Sequence, residues 1–419
     1  MPGVDQRAFL ADLFHVAVKA ADPLESLRAH LPQPPLGRTV VIGAGKGAAQ
    51  LAQALEILWP QPLEGVVVTR YGHGVPCKRI EVIEAAHPVP DSAGYAGSHR
   101  LMEQVRGLTA DDLVIALICG GGSALLPAPP PGFTLEDEIA LNTALLASGA
   151  PISAMNLLRR HFSTIKGGRL AAMAHPARVV SLVVSDVPGD DPAEVASGPT
   201  VPGKGGSAEA LAIADLYHIP LTDLQRRHIG SVVAPDPGDP AFGRDRVHVI
   251  ASAGCSLEAA AGRARAAGIE AVILSDAIEG EAREAGRFHA DLALQIARRN
   301  RPFPKPVLLL SGGETSVTLR GNGAGGRNTE FLLSFAGRIS GQAGIHALAA
   351  DTDGIDGVGD NAGAFADGAT AARLLAKGIM IEQCLARNDS RTAFAALDDL
   401  FITGPTGTNV NDFRAILVI

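Results

Sequence analysis

The sequence predicts an α/β protein built from two domains, and three observations lead to this fold class. The chain has 419 residues, which is long for a single hydrophobic core. Short apolar runs alternate with helical stretches along most of its length. The apolar runs are continuous rather than alternating with polar residues, which is typical of parallel strands covered by helices on both faces. We therefore expect mostly parallel, Rossmann-like sheets.

The first half of the chain shows this alternation clearly. A helical stretch is predicted over residues 5–30, with apolar residues at helical spacing. The predicted strands that follow cover residues 38–42, 65–69, 79–85, 112–119 and 178–185. The predicted helices between them cover residues 47–58, 93–106 and 136–146.

The alternation restarts in the second half, after a stretch rich in Pro, Gly and Asp at residues 234–245. Strands are predicted at 247–251, 270–275, 306–311, 344–350 and 413–419, and helices at 257–267, 280–299 and 328–339. We place the domain boundary in the Pro-rich stretch, giving domains 1–240 and 241–419. The predicted strand at 413–419 could belong to the sheet of either domain. Two such domains predict an active-site cleft between them.

Composition narrows the function classes. The formal net charge is −8 and aromatic residues make up 4% of the chain, so neither a general polyanion-binding surface nor a base-stacking platform is indicated. The four cysteines form no Cys-x-x-Cys pair, which favours a reducing compartment. No apolar run is long enough for a membrane span, and the N-terminal residues lack a signal pattern. We expect a cytoplasmic protein without nucleic-acid or membrane partners.

The stretch VVIGAGKGAAQ at residues 40–50 places one lysine in a glycine turn after a predicted strand. It fails the Walker A pattern, because Gly45-Lys46 is followed by glycine. Gly43, Gly45 and Ala48 fit the dinucleotide fingerprint, but Arg70 stands where that fingerprint needs an acid and could at most suit a 2′-phosphate. Three interpretations remain open: a dinucleotide site, simple helix–strand packing, or an anion site formed by Lys46 and backbone N–H groups.

A second glycine loop follows the predicted strand at 112–119. Gly120, Gly121, Gly122 and Ser123 would let the backbone approach a phosphate or carboxylate closely. Ser123 lacks the Gly-x-Ser-x-Gly context of a hydrolase nucleophile. A tight turn is the structural alternative.

Further polar residues follow other predicted strands. Asp186, Asp190 and Asp191 could hold a hard cation or accept a proton, or could simply form a turn. His87 and Lys166 are candidates for the pocket with a structural role equally open. The second half offers the cationic Arg327 and a set of candidate ligands after its strands: Gly312, Gly313, Glu314, Thr315, Asp351, Thr406 and Asn409.

Taken together, these segments resemble the type II glycerate kinases. The resemblance spans nearly the whole chain and rests on eight segments in order: VIGAGKGA, AAHPVPDSAG, ICGGGSALLPAPPPG, ISAMNLLRRHFSTIKGGRLA, VVSDVPGDDPAEVASGPT, LSGGETSVTLRGNGAGGRNTEF, AADTDGIDG and FITGPTGTNVND. It implies two α/β domains, the second being a MOFRL domain, with the active site in the cleft. It also implies that Lys46 is the catalytic lysine and Arg327 the essential arginine.

The activity implied by the resemblance is the ATP-dependent phosphorylation of D-glycerate at its 2-hydroxyl. We expect Gly45, the loop at 120–123, Lys166 and the second-half ligands to bind substrate or phosphates. Mg²⁺ would accompany ATP, with Asp190, Asp191 or Asp351 as its ligands and Asp190 as the proton acceptor. An NAD(P)H-dependent hydroxypyruvate reductase and a non-catalytic nucleotide-binding protein are the alternatives. Whether the chain forms a homodimer is left open.

Overall fold

A computed structural model describes residues 5–419. These residues form two compact units, which are described separately. One consists of residues 23–250, and the other of residues 5–22 together with 251–419. Within residues 5–419 no helix has both the length and the apolar character needed to cross a lipid bilayer. The domain boundary at 240/241 stays a prediction.

The described residues contain sixteen α-helices, which are numbered in chain order. Nine belong to the unit of residues 23–250: α2 Pro23–Arg28, α3 Ala48–Leu58, α4 Ser92–Gln104, α5 Gly122–Leu125, α6 Leu135–Ala147, α7 Ile152–His161, α8 Arg169–Ala174, α9 Ser207–Leu216 and α10 Asp223–Ser231. The other seven belong to the second unit: α1 Gln6–Ala20, α11 Ala253–Ala266, α12 Ala282–Arg299, α13 Arg327–Arg338, α14 Thr370–Ala376, α15 Ile381–Arg387 and α16 Ser390–Leu397.

The unit of residues 23–250 is built on a six-stranded sheet. Its strands are β1 Thr39–Ala44, β2 Glu64–Arg70, β3 Ile80–Ala85, β4 Leu113–Cys119, β5 Arg178–Val184 and β6 Arg246–Ala251. They lie in the order β3-β2-β1-β4-β5-β6, and the pairings among β1 to β5 are parallel. This is the strand order of a doubly wound fold, so the α/β prediction is confirmed. The order reverses between β1 and β4.

Both faces of this sheet are buried, as its continuous apolar strands predict. Val40, Ile42 and Ala44 of β1 pack into a core with residues of β2, β4 and α4. The intervening Val41 packs into a separate core with α3 and Trp59. Because successive strand residues point to opposite faces, two covered faces require an unbroken apolar run.

The second unit has a six-stranded sheet and a short two-stranded ribbon. Its strands are β7 Glu270–Ser275, β8 Gly280–Glu281, β9 Val307–Ser311, β10 Thr315–Ser316, β11 Ile345–Asp351, β12 Gly363–Asp367, β13 Leu400–Phe401 and β14 Asp412–Val418. The large sheet has the order β13-β12-β11-β14-β9-β7, and β8 pairs with β10. The final strand, whose place the sequence left open, therefore lies inside this sheet, between β11 and β9.

Strand direction in this second sheet differs from the prediction of mostly parallel strands. The pairs β12–β13, β11–β12, β11–β14 and β9–β14 are antiparallel, and β7–β9 is parallel. A strand buried on both faces is apolar throughout whichever way its neighbours run. The apolar runs therefore identified the strands without fixing their directions.

The predicted helix over residues 5–30 is in fact two helices. Pro23 begins α2, since proline has no N–H to continue α1 and suits the first position of a new helix. The α1 helix packs against α11 and buries a stripe of apolar side chains, Phe9, Leu10, Leu13, Phe14 and Ala17. The first helix of the chain thus packs in the unit that holds residues 251–419.

Candidate active site

The predicted lysine and the glycine loop meet where the strand order of the first sheet reverses. Lys46 follows β1, and Gly120 follows its neighbour β4. The Lys46 amide donates a hydrogen bond to the Gly120 carbonyl oxygen, with a nitrogen–oxygen distance of 2.9 Å. In doubly wound sheets, ligands bind in the crevice at the carboxyl ends of the two strands where the order reverses. The two loops therefore lie at the position where this fold places its ligands.

Two glycines of the 43–48 fingerprint are required by packing between β1 and β4. A Cβ atom on Gly43 would lie 2.6 Å from the Leu117 carbonyl oxygen, and one on Gly45 would lie 2.5 Å from that of Cys119. Gly45 also has φ = +133°, which disfavours any side chain. This close approach is between two strands rather than between a helix and a strand, and it explains both glycines without a bound dinucleotide.

The Lys46 side chain passes close to Gly121 and His87. A Cβ atom on Gly121 would lie 3.1 Å from Cγ of Lys46 and 3.2 Å from Nε2 of His87. Burial lowers the pKa of His87 to about 4, and the charges of Lys46 and Arg70 act in the same direction. His87 is therefore neutral at pH 7, and the half-buried Lys46 supplies the positive charge beside it.

Asp186 is the aspartate that the structure places against the glycine loop. A Cβ atom on Gly120 would lie 1.9 Å from Oδ2 of Asp186. Burial raises the pKa of the neighbouring Cys119 thiol to about 12, and the Asp186 carboxylate adds to that shift. The sequence pattern predicts the metal-binding and proton-accepting roles for the two later aspartates, Asp190 and Asp191, and not for Asp186. Its position directly after β5, at the edge shared with Lys46, could have identified it.

The two later aspartates occupy the turn that follows. Asp191 is exposed, and its Oδ1 accepts a hydrogen bond from the Ala193 amide at 3.0 Å, which is ordinary turn chemistry. Asp190 is half-buried, with φ = +54°. The catalytic and metal roles expected for these residues stay predictions.

Ser123 of the glycine loop is held by a buried hydroxyl. Its Oγ lies 2.8 Å from Oγ of Ser197, which in turn donates to Oδ1 of Asn156 at 2.9 Å. Ser197 lies in a turn, residues 195–198, that the sequence analysis did not assign to the site.

Lys166 occupies a structural position. Its side chain is fully buried, and its Nζ donates to Oε1 of Glu138 at 2.9 Å and to the Leu126 carbonyl oxygen at 2.6 Å. Burial lowers the pKa of Lys166, while Glu138 opposes that shift. The ammonium group is thus bound by protein partners and not by a substrate or phosphate.

In the second unit, Arg327 begins α13 and is surrounded by carboxylates. Its Nε donates to Oδ1 of Asp412 at 2.7 Å and one terminal nitrogen donates to Oδ2 of Asp351 at 2.6 Å. The other terminal nitrogen lies 3.3 Å from Oε1 of the exposed Glu314. Burial opposes the charge, but Asp412 and Asp351 raise the pKa of Arg327 overall. Burial also raises the pKa of the Asp351 carboxyl, against the influence of Arg327.

Asp412 organises this cluster, and the sequence analysis did not select it. Its buried carboxylate also accepts hydrogen bonds from Asn328 and Arg414. The Asp412 amide donates to the Gly313 carbonyl oxygen at 3.0 Å, which ties in the predicted loop of Gly312, Gly313, Glu314 and Thr315. Its place as the first residue of β14 was the available signal.

Thr406 and Asn409 contact the residues that follow Asp351 at the end of β11. Oγ1 of Thr406 donates to the Thr352 carbonyl oxygen at 2.5 Å, and Nδ2 of the exposed Asn409 lies 3.5 Å from Oδ2 of Asp353. The predicted second-unit residues are therefore brought together around Arg327 and the end of β11.

Within residues 5–419, no three or more His, Cys, Asp or Glu side chains converge as a metal-holding group. A magnesium ion carried by nucleotide phosphates needs only one or two carboxylates, because phosphate oxygens and water complete its shell. The loop after β5 that contains Asp186 and Asp190, here called the aspartate loop, offers that number of carboxylates.

The chain is similar to known proteins over most of its length. Residues 9–229 match a family described as a domain of unknown function (DUF4147), and residues 307–412 match the MOFRL family. An Agrobacterium vitis protein provisionally named hydroxypyruvate reductase is 49% identical over 99% of this chain and 95% of its own. A D-glycerate 2-kinase of Thermotoga maritima is 40% identical over 96% of each chain.

A solved structure extends the likeness to the fold. The crystal structure of glycerate kinase from Thermotoga maritima has a TM-score of 0.90 and 38% identity, and the match covers 99% of each chain. Sequence and structure thus agree over essentially the full length. The chain belongs to the glycerate 2-kinase family whose members carry a MOFRL domain.

Proposed function

We propose that this protein transfers the γ-phosphoryl group of ATP to the 2-hydroxyl of D-glycerate, giving 2-phosphoglycerate and ADP. The observation that carries the proposal is the meeting of Lys46 with the glycine loop at the strand-order reversal. The similarity to a D-glycerate 2-kinase over nearly the whole chain supports the substrate and the position phosphorylated.

Phosphoryl transfer depends mainly on positioning and on stabilising charge at the transferred group. The Lys46 ammonium would lie against the phosphoryl oxygens, where a fixed charge in a half-buried site counts for more than in water. Backbone N–H groups of the 120–123 loop would complete the cradle. Neutral His87 would add no competing charge.

The acceptor hydroxyl must lose its proton as the new bond forms. We assign that proton to the aspartate loop after β5, with Asp186 as the first candidate, because its carboxylate lies against Gly120. Asp190 is the second candidate. Magnesium, when bound with ATP, would neutralise charge on the phosphates, and whichever of these two carboxylates does not take the proton would help to hold it.

Arg327 is proposed as a second cationic group for the ligands. Two of its nitrogens are fixed by buried carboxylates, so its guanidinium plane is set in advance. The third faces Glu314, whose side chain is 59% exposed. A ligand phosphate or carboxylate could take the place of that exposed acid at little cost.

A hydroxypyruvate reductase is the second candidate function, because the Agrobacterium vitis relatives carry that provisional name and the 43–48 stretch fits the dinucleotide fingerprint. Packing explains Gly43 and Gly45 without a bound cofactor, which weighs against it. The exposed Arg70 ends β2 in place of the acid that NAD needs, so only a cofactor with a 2′-phosphate would suit that position.

Purified protein assayed in parallel for both reactions tests the proposal. We expect ATP consumption that depends on D-glycerate and Mg²⁺, and no faster oxidation of NADH or NADPH with hydroxypyruvate. Faster nucleotide oxidation than ATP consumption would favour the reductase. Binding of ATP without either reaction would favour a non-catalytic role.

A further inference from the structure

The hydrogen bonds behind Ser123 have a fixed direction, and this direction determines what Ser123 can offer a ligand. The chain begins at Asn156, a buried residue of α7. Its Nδ2 faces the Glu194 carboxylate at 2.9 Å and the Glu194 carbonyl oxygen at 3.0 Å, both of which can only accept. Arg159, which can only donate, faces the Asn156 Oδ1 at 3.0 Å. The amide orientation of Asn156 is therefore determined.

The orientation of the Asn156 amide determines which hydroxyl donates in the next two hydrogen bonds, first at Ser197 and then at Ser123. Oδ1 of Asn156 can only accept, so the Ser197 hydroxyl donates its single proton in that hydrogen bond. The 2.8 Å contact between the two serine Oγ atoms must then use the Ser123 proton. Ser123 is thus left with oxygen lone pairs that can accept hydrogen bonds and with no proton to donate.

The turn that supplies Ser197 is held in an unfavourable conformation. Ala196 and Ser197 have φ of +55° and +60°, a region that side-chain-bearing residues rarely occupy. A Cβ atom on Gly122 would lie 2.6 Å from the Ala196 Cβ, so the turn is packed closely against the glycine loop. The buried ion pair of Arg160 with Glu194, at 2.8 Å, fixes the other end. Strain of this kind is retained where the surrounding structure needs the geometry.

We propose that Ser123 is a specificity residue, whose Oγ accepts a hydrogen bond from the 3-hydroxyl of glycerate. The inference rests on the proposed glycerate kinase function. An oxygen that cannot donate is a poor partner for phosphate oxygens, and the reacting 2-hydroxyl gives its proton to the aspartate loop. The 3-hydroxyl is the remaining hydrogen-bond donor on the substrate. Ser197 and Asn156 act as positioning residues through Ser123.

D-Lactate, which lacks the 3-hydroxyl and keeps the 2-hydroxyl, is the probe. Initial rates with D-glycerate and D-lactate give kcat/KM for each, and inhibition by D-lactate gives its affinity where turnover is slow. We expect Ser123→Ala to lower the preference for D-glycerate by roughly tenfold, with the KM for ATP unchanged. D-Lactate itself should bind the variant as it binds the parent protein.

Two substitutions of Ser197 separate its hydroxyl from the backbone strain. Ser197→Gly relieves the strain and Ser197→Ala does not, yet both release the Ser123 hydroxyl to rotate. Both should raise the KM for D-glycerate by roughly threefold or more. Ser181→Ala is the matched control, because it removes a buried hydroxyl bonded to Thr200 at 2.7 Å in the same unit.

The possible outcomes are distinct. An unchanged glycerate-to-lactate preference in Ser123→Ala overturns the inference, as does a rise in the KM for ATP alone. A rise in the KM for D-glycerate in Ser197→Ala but not in Ser197→Gly, or an equal rise in Ser181→Ala, shows a merely structural role and overturns it as well. Absence of glycerate-dependent ATP consumption in the parent protein instead overturns the proposed function itself.

Discussion

Lys46 carries the positive charge on which the proposed phosphoryl transfer depends. A lysine inside a glycine turn after an apolar strand indicates an anion site, and the structure places it at the strand-order reversal. His87 and Asp186 join it from the loops after β3 and β5. Their proximity depends on strand order, which the residues of one loop do not encode.

Removing the charge of Lys46 tests its role at the residue scale. We expect Lys46→Met to lower kcat/KM about 10²- to 10³-fold, as loss of a charge that stabilises the transition state does. The fold should persist, since the bond to Gly120 uses the backbone amide. Steady-state kinetics and circular dichroism measure the two effects. Lys78→Met, at an exposed position, is the control, and equal activity in both variants would remove Lys46 from the mechanism.

Asp186 and Asp190 can be distinguished in the same way. Asparagine keeps the shape of the side chain but does not accept the proton of the substrate hydroxyl. We expect Asp186→Asn to lower kcat by about 10²-fold or more, within the range for general bases, and Asp190→Asn to lower it less. The kcat at saturating ATP and D-glycerate is the measurement. A larger loss of kcat in Asp190→Asn than in Asp186→Asn would show that Asp190 accepts the proton.

Other features of single residues could not be predicted from the sequence, because they depend on partners that are distant along the chain. Lys166, in the turn before α8, is neutralised by Glu138 of α6, and a lysine beside two glycines gives no sign of this burial. Asp412 pairs with Arg414 on the same strand and with Arg327 at the start of α13, which is distant in the sequence. Both arrangements are products of tertiary packing.

At the scale of strands and helices, the apolar runs predicted where the strands lie but not whether neighbouring strands run parallel or antiparallel. The strands from β1 to β5 were predicted, and their two buried faces explain the signal. In the second sheet the same kind of run occurs in antiparallel neighbours such as β11 and β14. Helices α8 to α10 were not predicted, and α9 buries only two of its residues, so its apolar periodicity is weak.

The junction between β1 and α3 gives a test of packing at this scale. Gly45→Ala would place a methyl group 2.5 Å from the Cys119 carbonyl oxygen at φ = +133°, so we expect a loss of about 3 kcal/mol or more in the free energy of unfolding. Gly47→Ala, whose Cβ would lie 3.7 Å from the Cys119 Sγ, should change it by about 1 kcal/mol at most. Urea denaturation measures both, and equal losses would contradict the packing explanation.

For the whole molecule, the sequence predicted the α/β class and the family correctly, but not which segments pack together. Helix α1 joins the unit formed by residues 251–419, through apolar contacts with α11. Strand β6 completes the first sheet although the sequence assigned it to the second half. An amphipathic helix needs an apolar partner, and its sequence does not specify which one.

The central claim is that this chain phosphorylates D-glycerate at the 2-hydroxyl, and the product of the reaction tests it most directly. Protein incubated with D-glycerate, ATP and Mg²⁺ is coupled to enolase alone, which consumes 2-phosphoglycerate. We expect phosphoenolpyruvate to appear, by ultraviolet absorbance, without any phosphoglycerate mutase. Phosphoenolpyruvate that forms only after the mutase is added would show that the 3-hydroxyl is phosphorylated, and would contradict the account.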